Sequence, residues 1–430
     1  SSHADTLIGN STANGLAGEG GDDYLNGGDG ADTLEGGSGN DTMKGGGGAD
    51  TLNGGNDADT ILGEAGIDTI NGGAGDDVIV GGTATDIVEG GSGNDMFKIN
   101  SGEYSDNISD SSGIDTLDVS DHDHVLNLDL GAGTYTLYGA ANTISGVENV
   151  IGTDQGDSII GDGSSNTLNG KGGDDSIAGA GGGDDLRGGS GQDDLHGGGG
   201  TDNLRGNSGR DTLNGGNGGD TLIGGGGRDM ASYAGSNAGV NVSLASGTAS
   251  GGHADGDTLI SIESLIGSSN NDTLEGNGAA NTLEGGTGAD ELTGRNGNDT
   301  LEGGGGGDIL NGGNGRDVMS GDNGRDTFDF NDIGESVVGA GRDRINDFIG
   351  GGIDMLDLFG IDANSNTGAD DAFDFIGSNA FSNTAGELHQ VAQGNHTIVE
   401  GDVDGDSIAD FQILLANTLG LVLTASDFVL

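Results

Sequence analysis

The chain has 430 residues, 99 of them glycine, with no proline, cysteine or tryptophan and a formal net charge of −60. So acidic a surface excludes nucleic acid and anionic membranes as partners, because both need a basic face, and the lack of cysteine excludes disulfides and thiolate metal sites. No run approaches eighteen apolar residues, so no transmembrane segment is expected, and the natural partner for the charge is a hard, oxygen-preferring cation. In chain order, residues 1–98 form a first array: Asp5, then at nine-residue steps Asn14, Asp23, Asp32, Asp41, Asp50, Asp59, Asp68, Asp77, Asp86 and Asp95. Two residues after column positions sit Leu25, Leu34, Met43, Leu52, Ile61, Ile70 and Ile79. The phase breaks over 99–150, where Leu126, Leu128 and Leu130 alternate with polar residues as in a half-buried strand. A second array over 151–232 runs Asp157, Asn166, Asp175, Asp184, Asp193, Asp202, Asp211, Asp220 and Asp229. The interruption at 233–266 repeats the alternation with Val240, Val242 and Leu244, and a third array over 267–331 runs Asp272, Asn281, Asp290, Asp299, Asp308, Asp317 and Asp326. Both interruptions end in matched segments, VENVIG over 147–152 and IESLIG over 262–267, so the chain is read as a repeated module of insert and array. Phe97 and Phe328 stand at the ends of arrays one and three, where a bulky ring is expected to cap the apolar column. From 332 to 430 the text changes.

The best copies read GGDGADTLE over 27–35 and GGSGND over 36–41. This resembles the G-G-x-G-x-D-x-U-x repeat of RTX proteins, over roughly three-fifths of the chain. The fold class that the resemblance implies is all-β: three right-handed parallel β-rolls separated by short β inserts, with a further β domain at 332–430. In each nonapeptide the glycines permit positive φ in a tight turn, and x-U-x is a short strand with U pointing inward. Two nonapeptides make one coil of such a roll, so residues i and i+18 stack about 4.8 Å apart. Carboxylates stacked at that spacing repel by about 3.5 kcal/mol at an effective dielectric constant of 20, where a domain's entire net stability is about 5–15 kcal/mol. A divalent ion shared between column residues one coil apart removes the repulsion. An all-oxygen, flexible donor set favours calcium over magnesium. Every aspartate of the three columns is therefore a candidate Ca²⁺ ligand, for roughly twenty ions. The resemblance implies that the aspartate and turn carbonyls of one loop share each ion with the loop one coil on.

The segments at 343–348, 353–358, 385–388 and 401–406 resemble, in that order, the C-terminal domain of serralysin-type secreted proteins. Asp427-Phe428-Val429-Leu430, an acidic residue before an apolar tail, is similar to that family's uncleaved type I secretion signal, against the plain alternative of a terminal strand capping a sheet. Residue 1 opens no basic-then-apolar stretch, so the export address is expected in this tail; and since residue 1 falls where the lead-in to the first array should be ending, an upstream portion is expected to be missing. The resemblance thus implies a secreted, extracellular protein whose partners are calcium and a type I exporter. Asp402, Asp404, Asp406 and Asp410 occupy positions 1, 3, 5 and 9 of an EF-hand-like loop, but Ser407 and Ile413 stand where glycine and glutamate belong. They are weaker metal candidates, and a plain turn fits equally well.

No catalytic constellation is expected within these residues. None of the seven histidines is followed by glutamate, so H-E-x-x-H is absent, and there is no G-x-S-x-G elbow. Asp121-His122-Asp123-His124 offers transition-metal ligand types, although such a cluster in an insert is more often a solvated loop. Two functions fit. One is a structural or adhesive surface component of the S-layer or extracellular-matrix type, with self-assembly or a cell-surface polysaccharide as partner. The other is the calcium-dependent folding and secretion region of a larger secreted hydrolase.

Overall fold

The computed structural model describes residues 1–103, 106–137, 139–367 and 371–430. Among these residues, helical structure is confined to three single 3-10 turns, at Gly252–Ala254, Gly339–Gly341 and Ala425–Asp427, and everything else is strand, turn or loop. The chain forms two compact units: residues 1–213 with 225–227, and residues 214–224 with 228–430.

In the first unit each x-U-x triplet is a strand, and it pairs in parallel with the triplet one coil on. One ladder reads Leu7, Leu25, Met43, Ile61, Ile79, Phe97, Leu117, Val150, Leu168, Leu186 and Leu204, each side chain stacked on the next. The opposite ladder reads Leu16, Leu34, Leu52, Ile70, Val88, Ile108 and Ile144. Nearly all of these side chains are buried, while their strand neighbours point outward. Burial of one such side chain contributes about 2 kcal/mol, and this thin double column is the whole apolar core of a coil. The turns between strands need glycine for a steric reason. At Gly46, φ is +108°, and an added Cβ would run into the carbonyl of Gly28 in the preceding coil.

The segment at 99–150 does not interrupt these ladders. Its strands Asn107–Ser109 and Thr116–Asp118 continue them, but with coils two residues longer, Val88 pairing with Ile108 and Phe97 with Leu117. Phe97 is therefore an interior rung between Ile79 and Leu117, and the expected cap is not one. The strands Asn127–Asp129, Thr134–Leu137 and Ala140–Ser145 form an antiparallel excursion, and Leu128 then stacks on Ile159 to begin a new ladder through Ile177 and Leu195. The alternation read from Leu126 and Leu128 is this half-buried strand.

The second unit repeats the plan. One ladder runs Val242, Leu274, Leu292, Leu310, Phe328, Leu356 and Phe428, the other Ala231, Leu265, Leu283, Leu301, Met319, Ile345 and Leu415. Phe328 too is followed by further rungs. Past it, an antiparallel meander of Glu387–Gln393, His396–Asp402 and Phe411–Leu415 joins the second ladder through Phe411–Leu415.

Candidate metal columns

The position-six aspartates lie in the turns between strands, one above the next. All column aspartates from Asp23 to Asp326 are buried, and Asp5 is partly exposed, its carboxylate accepting the Ser1 hydroxyl at 2.8 Å. Each carboxylate divides its work. Oδ1 accepts the backbone N–H of the aspartate one coil earlier: Asp32 donates to Asp50 at 2.7 Å, Asp41 to Asp59 at 2.7 Å, and Asp50 to Asp68 at 2.8 Å. The same bond links Asp157 to Asp175 at 2.7 Å and Asp290 to Asp308 at 2.9 Å.

Among the described residues, Oδ2 finds no donor at Asp23, Asp32, Asp41, Asp50, Asp59, Asp68, Asp77, Asp175, Asp184, Asp193, Asp290, Asp299, Asp308 and Asp317. At Asp23, Asp32, Asp41, Asp50, Asp59, Asp68, Asp77, Asp184, Asp290 and Asp299 it lies near a glycine carbonyl of the adjacent coil. A Cβ built on Gly45 would stand 2.6 Å from Asp50 Oδ2 and 2.7 Å from the Gly63 carbonyl oxygen; one on Gly285 would stand 2.6 Å from Asp290 Oδ2 and 2.7 Å from the Gly303 carbonyl. A buried carboxylate oxygen without a donor thus lies beside a carbonyl oxygen, an arrangement that costs stability unless a cation supplies the missing charge. The donors are carboxylate and carbonyl oxygens alone, which suits calcium and not a transition metal.

The titration of the column agrees. Burial, only partly offset by the N–H bond to Oδ1 and reinforced by neighbouring carboxylates, pushes Asp59, Asp68 and Asp175 up to about 7. Burial likewise raises Asp193, Asp290 and Asp326 to about 6.

The first aspartates of the second and third arrays behave differently. Asp157 Oδ1 accepts Leu126 N–H at 2.8 Å and its Oδ2 accepts Thr153 N–H at 2.7 Å. Asp272 makes the equivalent pair with Val240 N–H and Ser268 N–H, at 2.7 and 2.6 Å. Both oxygens are thus engaged by the protein itself. The next column positions, Asn166 and Asn281, are amides whose Nδ2 donates to the Glu148 and Glu263 carbonyls at 2.9 and 3.1 Å.

Several residues continue the columns beyond the nine-residue phase. Asp106, Asp115, Asp257, Asp343 and Asp354 accept the N–H of Asp86, Asp95, Asp220, Asp317 and Asp326, at 2.9, 2.6, 2.8, 2.7 and 3.2 Å. Glu148 and Glu263 do the same for Asp115 and Asp229, each at 2.9 Å. The glutamates had a sequence signal, the matched VENVIG and IESLIG segments. The aspartates had none, because the coils that carry them are longer than eighteen residues.

Among the weaker candidates, ligand-type oxygens of Asp402, Asp404 and Asp410 lie within 4.8 Å of one another. Their carboxylates are already used by the loop: Asp402 accepts Gly405 and Ser407 N–H at 2.7 and 2.9 Å, and Asp410 accepts Val403 N–H at 2.7 Å. Asp406 is exposed and accepts Ile408 N–H at 2.8 Å. At the other cluster, buried His122 accepts the His124 backbone N–H at 3.1 Å, and His124 contacts Asp123 at 2.7 Å. In the tail, Asp427 is fully buried, accepting Gly352 N–H at 2.8 Å and Thr424 N–H at 2.7 Å, and Phe428–Val429 pairs in parallel with Met355–Asp357.

Parallel two-nonapeptide coils with buried oxygen columns in their turns define a calcium-binding β-roll. The family model for the RTX calcium-binding nonapeptide repeat matches residues 1–34, 26–61, 35–70, 62–97, 143–177, 160–195, 196–231, 266–301 and 293–328. These segments make up more than half of the chain, and the chain belongs to the RTX nonapeptide-repeat family. Among solved structures it is similar to the AlgE6R3 subunit of the Azotobacter vinelandii mannuronan C5-epimerase, with 28% identity, 37% of this chain and 78% of that one covered, and a TM-score of 0.20. The AlgE6R2 subunit of the same enzyme matches at 23% identity over 38% of this chain and 90% of that one, with a TM-score of 0.21. A search of curated proteins gave no match.

Proposed function

We propose that this is a secreted protein that folds on calcium outside the cell and serves as a structural or adhesive surface component, of the S-layer or extracellular-matrix type. The observation that carries the reading is the column of buried Oδ2 atoms without donors, repeated coil after coil and facing glycine carbonyls. Column aspartates with a donor-free Oδ2 supply the ligands, and the ions number roughly twenty. The calcium bound there neutralises the column and ties each coil to the next. The ladders pass through the insert at 99–150 and on past Phe328, so the roll is the bulk of each unit and is itself the working material. A type I exporter that reads residues 427–430 is the proposed export partner, and calcium-bridged self-assembly or a cell-surface polysaccharide the proposed working contact.

Two measurements test this. Chelation is expected to abolish the β signal in circular dichroism, and millimolar calcium, but not magnesium, to restore it; a chelated chain that stays fully folded overturns the calcium reading. Light scattering at millimolar calcium is expected to show assembly beyond the monomer or retention on isolated cell-surface polysaccharide. A monodisperse chain that binds no such surface overturns the surface role.

A further inference from the structure

The longest-range consequence of the coil geometry lies in the segment at 106–115, outside the matched repeats. In a regular coil one aspartate Oδ2 faces one glycine carbonyl, as at Gly45. At Gly90 the pattern changes. The coil below has twenty residues, and the register of Val88 with Ile108 brings Asp110 opposite Gly90, where regular coils carry another glycine. The point a Cβ would take on Gly90 is flanked by two carboxylates, Asp110 Oδ2 and, at 2.5 Å, Asp95 Oδ2.

Asp115 closes the group: ligand-type oxygens of Asp95, Asp110 and Asp115 lie within 4.8 Å of one another. Asp95 and Asp115 are 1% and 0% exposed, and the Oδ2 of each has no donor among the described residues. Asp110 is held in place by Gly91 N–H on Oδ2 at 2.9 Å and Ser112 N–H on Oδ1 at 2.8 Å. Three fixed carboxylates, two of them buried, thus meet where a regular coil brings one carboxylate to a carbonyl.

We propose that Asp95, Asp110 and Asp115 form a calcium site outside the nonapeptide pattern, richer in charge than the array sites and filled before them. The inference rests on the calcium reading of the arrays, which it extends to a site of different composition. Affinity of all-oxygen sites rises with the number of charged ligands and with their rigidity, and both are greater here. An ion at this place pins the first irregular coil to the end of the first array, where a longer turn has more backbone freedom to lose.

The test is a calorimetric calcium titration of the full chain beside Asp110→Asn and Asp110→Gly, with circular dichroism read in parallel. The wild-type chain is expected to bind about one ion at a concentration at least about tenfold below the array transition. Both variants are expected to lose that early phase while the array transition keeps its midpoint within about twofold. Asp110→Gly restores the residue that regular coils have at this register, so it separates loss of the site from loss of folding. An early phase that survives in Asp110→Gly, or arrays that bind calcium with no early phase in the wild-type chain, overturns the inference and leaves the array reading intact. A chain that binds no calcium at all overturns both.

Discussion

A column aspartate does two jobs with two atoms, and substitution separates them. In Asp59, Oδ1 accepts the Asp41 N–H at 2.7 Å and Oδ2 has no donor, while burial pushes the carboxyl up to about 7. Asparagine keeps the Oδ1 acceptor, removes a buried charge and replaces a ligand oxygen by an amide nitrogen. Asp59→Asn is therefore expected to stabilise the calcium-free fold at pH 7.5 and raise the calcium midpoint by about threefold to tenfold. In Asp157 both oxygens accept N–H groups, so an amide must face one donor with another. Asp157→Asn is expected to destabilise the fold by about 1–3 kcal/mol whether or not calcium is present. Thermal melts of both variants with and without calcium check the contrast, and a parallel response in the two would remove the division of labour. The chain already carries the amide solution at Asn166 and Asn281, each satisfied through Nδ2 on a glutamate carbonyl.

An array of such residues titrates as an element. Folded-state carboxyls at about 6 to 7, against an ordinary 3.8, mean that the fold binds protons more tightly than the unfolded chain does. Their contribution to stability is fully present below 3.8 and is lost as pH rises through about 6 and then about 7. The calcium-stripped chain is thus expected to show more β signal at pH 4.5 than at pH 7.5. Protons and calcium compete for Oδ2, so the calcium midpoint is expected to climb as pH falls below about 7. A stripped chain equally unfolded at both pH values would falsify the burial account of the column. The column was legible because its one-coil period of eighteen residues is a multiple of nine, as from Asp32 to Asp50. It stopped being legible at Asp86 and Asp95, whose partners Asp106 and Asp115 lie twenty residues on, and at Asp317, whose partner Asp343 lies twenty-six on. A longer turn changes the sequence spacing and leaves the strand pairing intact, so periodicity reports an interruption where the ladder has none. The use of Oδ1 for a backbone bond is equally silent in sequence, since the aspartate is the same letter whichever atom meets the ion.

At the scale of the whole chain, the charge of −60 and the folded place of the tail would set an order of events in the proposed export route. In the folded protein Asp427 is fully buried and Phe428 is the rung beyond Leu356, so the proposed exporter contact with residues 427–430 requires the second unit to be unfolded. In the proposed route low cytosolic calcium would provide that condition, because uncompensated columns would keep the arrays extended. Extracellular modules bind calcium at about 10⁻⁴–10⁻³ M, so in the proposed route folding would begin on emergence and each coil formed would discourage return. The tail leads in this scheme, and the rungs at Phe428 and Leu356 fold before Phe328, Leu310 and Leu292. Deletion of 425–430 is expected to abolish secretion while the purified variant keeps its calcium-driven transition. Leu356→Ala, at the rung on which Phe428 stacks and outside the address, separates the two roles: it is expected to destabilise the second unit by about 2–5 kcal/mol and leave export of the unfolded chain near its normal rate. Secretion is scored as the ratio of culture-supernatant to cell-associated protein. Normal export of the 425–430 deletion would mean that these residues are only the closing strand of the ladder, and that the export address lies elsewhere.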